Sequence, residues 1–324
     1  MQDKIRAAVI GVGHMGQYHV GVYSELNDID LVGVADISKK RSTDVAQKYN
    51  TKAYIDYEDL FGKVDLVTIS VPTSLHYQVA KPFIERGIHV LLEKPVANSL
   101  EEATELFALA EKNGVHLQIG HVERFNGAVQ EIKNVIDSPI ILEFRRVGPF
   151  ISRITDAGVV MDIMIHDIDI ALNLIDSKVD SINAVGGSVF TDKEDYASCQ
   201  LKFENGCLAT FISSRVTQEK VRTMALSQKD AYVFLDFNEQ DIQIHRQASS
   251  AYLVSKESLK YRQESLIERI FVHKGNPLKL EVQHFIDCAM RNAKRNISAE
   301  SELRSLKIAL RVLEKIKQSG EAAS

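Results

Sequence analysis

An apolar run at residues 6–10 ends in Gly11-Val12-Gly13-His14-Met15-Gly16, and a helical pattern follows. A second apolar run at 31–35 ends in Asp36, twenty residues after Gly16. Strand, glycine turn, helix, strand and acid in this order make the dinucleotide-binding fingerprint. Gly11 permits the tight turn out of the strand, Gly13 lets the backbone approach a pyrophosphate, and Gly16 allows close packing of the helix. The helix start at His14 and Met15 turns N–H groups and a positive dipole end toward the phosphates. Asp36 can accept hydrogen bonds from ribose hydroxyls, and its charge opposes a 2′-phosphate. The expected cofactor is therefore NAD rather than NADP. Lys39, Lys40 and Arg41 follow; they suit either a 2′-phosphate or the solvated first turn of a helix.

A chain of 324 residues suggests two domains of ordinary size. A net charge of −5 with no basic domain argues against a nucleic-acid partner. No apolar run is long enough for a bilayer, so no membrane partner is expected. The chain enters a strand within a few residues, which leaves no room for a signal peptide. Three cysteines (Cys199, Cys207, Cys288) lack metal-like spacing. They read as buried thiols of a cytoplasmic protein, with no metal site expected.

Up to residue 120 strand and helix patterns alternate. Strand runs lie at 6–10, 31–35, 66–71, 90–93 and 117–120, and helical runs at 14–26, 39–49, 76–86 and 100–113. Alternation of this kind predicts an α/β fold, a doubly wound parallel sheet of the Rossmann type covered on both faces. Ser99 before Glu101 and Glu102, and Gly87 and Gly114 after helical runs, punctuate those helices. From residue 140 the pattern changes. A strand run at 140–147 leads to an apolar helical segment at 158–175. Alternating runs follow at 181–190, 197–203, 208–214, 222–227, 231–237 and 242–246. They predict a C-terminal α+β domain on a large, mostly antiparallel open sheet. Helices at 278–292 and 300–317 close the chain, and the polar stretch 249–268 carries no pattern. The expected domains are 1–122, binding the dinucleotide, and 123–324, for substrate and oligomerisation. The closing helices are counted with the second domain, with packing back on the first as the alternative. Ligands of open α/β sheets bind beyond the carboxyl ends of the strands, so chemistry is expected there, in a cleft between the two halves.

Val71-Pro72-Thr73-Ser74-Leu75-His76 closes one strand run. Val71, Pro72, Thr73 and His76 read as a wall over the nicotinamide end of the cofactor. The plainer reading is a strand-to-helix turn in which Thr73 or Ser74 caps the helix. Glu93-Lys94-Pro95 closes the next run. A lysine at a strand's carboxyl end is placed for substrate contact or proton transfer, and a cis Lys94–Pro95 bond is possible. Asp162 and His166 stand four apart in the apolar helical segment and share a helix face. A histidine there can act as a general base, with the carboxylate orienting it. The alternative is a buried ion pair with Arg145, Arg146 or Arg153. His121, Glu123, Arg124 and Asn126 cluster at the domain junction; Arg124 suits a phosphate, a carboxylate or an interdomain salt-bridge network.

Gly11–Gly16, Asp36, Glu93-Lys94-Pro95 and Asp162…His166 together resemble the glucose–fructose oxidoreductase/inositol dehydrogenase family along essentially the whole chain. The resemblance implies oxidation of a sugar or cyclitol hydroxyl with a nicotinamide cofactor. It also implies Lys94, Asp162 and His166 as the active-site trio, and a sheet used in a homodimer or homotetramer. Gly120-His121-Val122-Glu123-Arg124-Phe125-Asn126 and the segment from Arg153 to Asp162 resemble, more narrowly, UDP-N-acetylglucosamine 3-dehydrogenases. That implies a nucleotide-sugar substrate contacted by Arg124, Asn126, Arg153, Asp162 and His166. The chain departs from the narrower pattern at Gly127, where proline is common, and lacks a glycine-rich run before Asp162. Alternatives left open are a free cyclitol or aldose substrate, a hydrolysis that uses NAD transiently, and a non-catalytic NAD(H)-sensing regulator.

Overall fold

The computed structural model describes residues 4–151, 157–247 and 265–321. The N-terminal part runs β1 (Ile5–Ile10), α1 (His14–Ser24), β2 (Ile29–Ala35), α2 (Lys39–Lys48), β3 (Lys52–Tyr54), β4 (Leu66–Ile69), α3 (His76–Glu85), β5 (His89–Glu93), α4 (Leu100–Lys112) and β6 (Leu117–Gly120). Its six strands are parallel, in the order β3-β2-β1-β4-β5-β6. The order reverses between β1 and β4, so the ligand crevice of such a sheet opens at their carboxyl ends. Every residue of β4 is buried, as near-continuous apolar strands require when helices cover both faces. Ser99 accepts the Glu102 N–H at the start of α4, and Gly87 and Gly114 take positive φ past helix ends, as the sequence predicts.

The second part contains α5 (Gly127–Ile132), β7 (Ile141–Val147), α6 (Ile165–Leu174), β8 (Val179–Gly187), β9 (Tyr196–Phe203), β10 (Leu208–Ser214), β11 (Val221–Gln228), β12 (Ala231–Asp236), β13 (Asp241–Gln247) and β14 (Ser265–Ile270). The sheet order is β14-β13-β12-β11-β7-β10-β9-β8. Among the described residues of this sheet only β7 and β10 pair in parallel. Buried and exposed residues alternate along β7, β9 and β10, which gives the sheet one core face. On that face Phe144 stacks on Phe211, with ring centroids 5.1 Å apart, and Met164, Ile165 and Ile168 join the same core.

Helices α7 (Pro277–Met290) and α8 (Ala299–Glu321) follow β14. The chain forms two compact units: the part up to Phe125 with Asn276–Lys307, and Asn126–Gly275 with the chain from Ile308 onward. In the first unit Val282, Phe285 and Ile286 of α7 share a core with Val9, Val20, Leu66 and Leu91.

Some elements differ from the sequence reading. The run expected to reach Val71 leaves the sheet after Ile69. Thr73 and Ser74 do not cap α3: a 3-10 turn, Thr73–Leu75, leads into it, and neither that turn nor α3 has a side-chain cap. The segment expected as one helix from 158 to 175 opens with a π-helical turn, Val160–Met164. β3, α5 and β14 were not expected. β3 is three residues at the sheet edge, α5 is six, and neither is long enough to show a period. β14 lies at the far edge, in and just past the polar stretch, where only β13 pairs with it.

Candidate active site

The glycine turn is built around contacts that only glycine allows. Gly11 has φ +80°, and a Cβ there would lie 2.6 Å from the Ser70 carbonyl oxygen. A Cβ on Gly16 would lie 1.9 Å from the Gly11 carbonyl oxygen, so this glycine seats α1 against the turn. At Gly13 the space is open, with no atom within 4 Å of a Cβ. Gly13 immediately precedes α1, so the opening lies where a helix N-terminus favours an anion. A pyrophosphate needs this combination of a fixed turn and an open tip, and the residues present fit a dinucleotide.

Asp36 is buried and ties the end of β2 to the turn. One carboxylate oxygen accepts the Val12 N–H at 3.0 Å and meets the Arg41 guanidinium at 3.2 Å; the other accepts the Ser38 N–H at 2.8 Å. Arg41 thus pairs with Asp36. His14 and Met15 form the first turn of α1, where the His14 ring meets Tyr18 edge-on.

The loops after β4 and β5 carry the next candidates. The His76 ring is buried at the start of α3. Its Nδ1 stands 2.8 Å from the Pro95 carbonyl oxygen and its Nε2 stands 2.9 Å from that of Val71. Burial pushes the His76 pKa down, and the two carbonyls and Glu93 push back without restoring the ordinary value. Lys94 is half-buried, and its peptide bond to Pro95 is cis. Glu93 is buried against His19, a partner 74 residues away that no spacing rule could reveal.

In the second unit Asp162 and His166 lie on the segment that opens with the π-helical turn. Such turns, with i→i+5 bonding, recur at functional sites. Glu194 shapes its start: its carbonyl accepts the Val159 N–H and its carboxylate accepts the Val160 N–H at 3.1 Å. Gly158 leaves room for that carboxylate, since a Cβ there would lie 2.0 Å from it. Asp162 and His166 are half-buried, whereas Asp167 and Asp169 are fully buried. The buried ion pair weighed as the alternative for Asp162 and His166 has a counterpart beside them: Arg146 pairs with Asp167, with nitrogen–oxygen distances of 2.7–3.1 Å.

Arg124 forms a two-pronged pair with Glu302 of α8, at 2.7 and 2.8 Å, inside the first unit. Asn126 is buried; it caps α5 through the Ala128 N–H and donates to the Phe237 carbonyl. These bonds give both side chains structural work that needs no ligand. Arg153 lies outside the described residues.

Residues 5–121 match the oxidoreductase family's NAD-binding Rossmann fold, and residues 126–232 match the GFO/IDH/MocA C-terminal domain. The chain belongs to this family of NAD-dependent oxidoreductases. It is 35% identical over 246 residues to UDP-N-acetylglucosamine 3-dehydrogenase of Acidithiobacillus ferrooxidans, spanning 76% of this chain and 78% of that protein. A solved structure of that enzyme superposes with a TM-score of 0.87 over 97% of this chain and 98% of the other, at 31% identity. Bacillus subtilis scyllo-inositol 2-dehydrogenase (NAD+) is 27% identical over 320 residues, 92% of this chain and 89% of that protein.

Proposed function

We propose that the chain oxidises the 3-hydroxyl of UDP-N-acetylglucosamine to the 3-keto sugar with NAD+. The observation that carries this reading is the likeness to the Acidithiobacillus enzyme, at 35% identity over most of both chains. When bound, NAD+ supplies the hydride acceptor. The glycine turn and the start of α1 hold its phosphates, and Asp36 holds the adenosine ribose. His166 takes the proton from the 3-hydroxyl, and Asp162 orients the ring and stabilises its charged form. Lys94 is assigned the hydrogen bond to the same oxygen, which draws negative charge as the proton leaves. Arg124, Asn126 and Arg153 are kept as substrate contacts, the first two alongside the structural bonds they make.

A homo-oligomer is part of the same reading. Ile141, Tyr196, Ile212 and Tyr232 are exposed on strands of the large sheet, where an apolar face asks for a cover.

The test is NADH absorbance with purified protein, NAD+ and UDP-N-acetylglucosamine, coupled to an aminotransferase that removes the ketone. Turnover supports the reading. Turnover with scyllo-inositol and none with the nucleotide sugar replaces the substrate and keeps the family.

A further inference from the structure

The β4–β5 ladder ends at the pair Ile69 and Leu92. Beyond it, both chains pass a proline, Pro72 and Pro95, which has no N–H to continue a ladder. The His76 ring fills that gap. Its two nitrogens reach one carbonyl in each loop, Val71 at 2.9 Å and Pro95 at 2.8 Å. The residue is 1% exposed, so bulk water does not compete for either contact.

Carbonyl oxygens only accept, and a neutral imidazole has one N–H. A neutral ring therefore makes one of these bonds and turns a lone pair on the other oxygen. Both bonds together need the doubly protonated ring. Five influences act on that second proton: burial and the Lys94 charge oppose it, and the Pro95 and Val71 carbonyls and the Glu93 carboxylate favour it, with burial prevailing.

We propose that His76 is a positioning residue that staples the loops after β4 and β5, and that its protonation sets whether the staple has two bonds or one. The proposal rests on the reading that these loops wall the dinucleotide. Val71 and Pro72 precede the ring, and Lys94 is the residue before Pro95, so a looser staple frees the backbone that carries all three. Dinucleotide binding then favours the two-bond state and draws a proton onto the ring. Affinity is highest on the acid side of the ring's titration and falls as pH rises through it.

The experiment is calorimetric titration of the full chain with NADH from about pH 4.5 to about 7.5, a span that reaches below the ordinary histidine range because burial lowers the ring's pKa, for wild type and His76→Gln. The wild-type dissociation constant is expected to rise about fivefold across the titration, the worth of one hydrogen bond. In H76Q it is expected to be raised already and flat. Long-range proton–nitrogen NMR of the wild-type ring gives a second readout. It is expected to show the second proton held to a higher pH with NADH bound than without. Matching pH dependence in wild type and H76Q, or a ring whose protonation NADH leaves unchanged, overturns the proposal. Neither measurement uses a sugar, so failure of the nucleotide-sugar reading leaves this result standing.

Discussion

The His19 Nε2 and the Glu93 Oε1 stand 2.8 Å apart inside the nucleotide-binding unit. The second Glu93 oxygen accepts the Lys94 N–H at 3.3 Å, so the pair reaches the backbone of a candidate catalytic residue. Burial pushes the Glu93 carboxyl up, but the bond to His19 and the charges of His19, Lys94 and His76 outweigh it and leave it below the ordinary value. His19→Ala strands a buried carboxylate. Breaking such pairs costs about 3–5 kcal/mol, which predicts a fall in melting temperature on the order of 10 °C. His19→Gln keeps a donor and should lose less. Because the folded value is depressed, the stabilisation is present above the ordinary glutamate value, about 4.3, and is lost as pH falls through the folded one. The gap in melting temperature between wild type and H19A should therefore be widest above that value and narrow as pH falls. Thermal melts across pH check this, and equal curves for wild type and H19A would remove the pair from the account.

Gly13 and Gly16 should separate binding from folding. A Cβ on Gly16 meets the Gly11 carbonyl oxygen at 1.9 Å, and backbone cannot yield cheaply there. Gly16→Ala should lower the melting temperature and abolish NADH binding together. A Cβ on Gly13 meets nothing within 4 Å. Gly13→Ala should melt like wild type yet bind NADH at least about tenfold more weakly, an energy of about 1.4 kcal/mol. Normal NADH affinity in G13A would place the pyrophosphate elsewhere.

The nucleotide-binding half was legible because its signals are local. A glycine turn, an apolar strand and an acid twenty residues on each sit within one βαβ unit. The antiparallel half was legible from alternation, down to the bounds of β10. Illegible were features that depend on distant chain. His19 meets Glu93 across 74 residues, Arg124 meets Glu302 across 178, and Glu194 shapes a turn 34 residues upstream of it. The π-helical turn at Val160–Met164 was illegible for a related reason: an apolar helix reads the same whether one turn is widened or not. At Asp162 and His166 the sequence placed the pair on one segment, but it could not show that their neighbour Asp167 pairs with Arg146.

Arg146 and Asp167 form a buried pair whose side chains are 4% and 1% exposed, and the guanidinium also lies 4.7 Å from the Phe237 ring centroid. The pair anchors α6, the helix that carries His166, to β7. Arg146→Met should destabilise the second unit by about 3–5 kcal/mol by leaving a charge stranded. The double variant R146M/D167L should recover most of that loss, since apolar packing often replaces a buried pair without penalty. Denaturant midpoints of the three proteins test this. A double variant as unstable as R146M would mean that the pair fixes α6 in a way packing cannot.

Glu281 lies in the middle of α7 with 0% exposure, and neither carboxyl oxygen meets a hydrogen-bond partner among the described residues. Burial pushes its pKa well above the ordinary value, the charges of Glu93 and Glu302 add to the rise, and Arg124 opposes it. The folded chain therefore holds a proton that the unfolded chain releases above about pH 4.3. Stability from this group is fully present below that pH and declines as pH rises toward the folded value, by up to about 1.4 kcal/mol per pH unit for one proton. Glu281→Gln copies the protonated acid and has nothing to release. Near pH 4 the two proteins should unfold at similar denaturant concentrations. Between pH 5 and about 8 the variant should gain steadily over wild type, with the limit set by the proton linkage. Parallel pH profiles for wild type and E281Q would show that Glu281 is ionised in the folded protein, with water or a partner satisfying its charge.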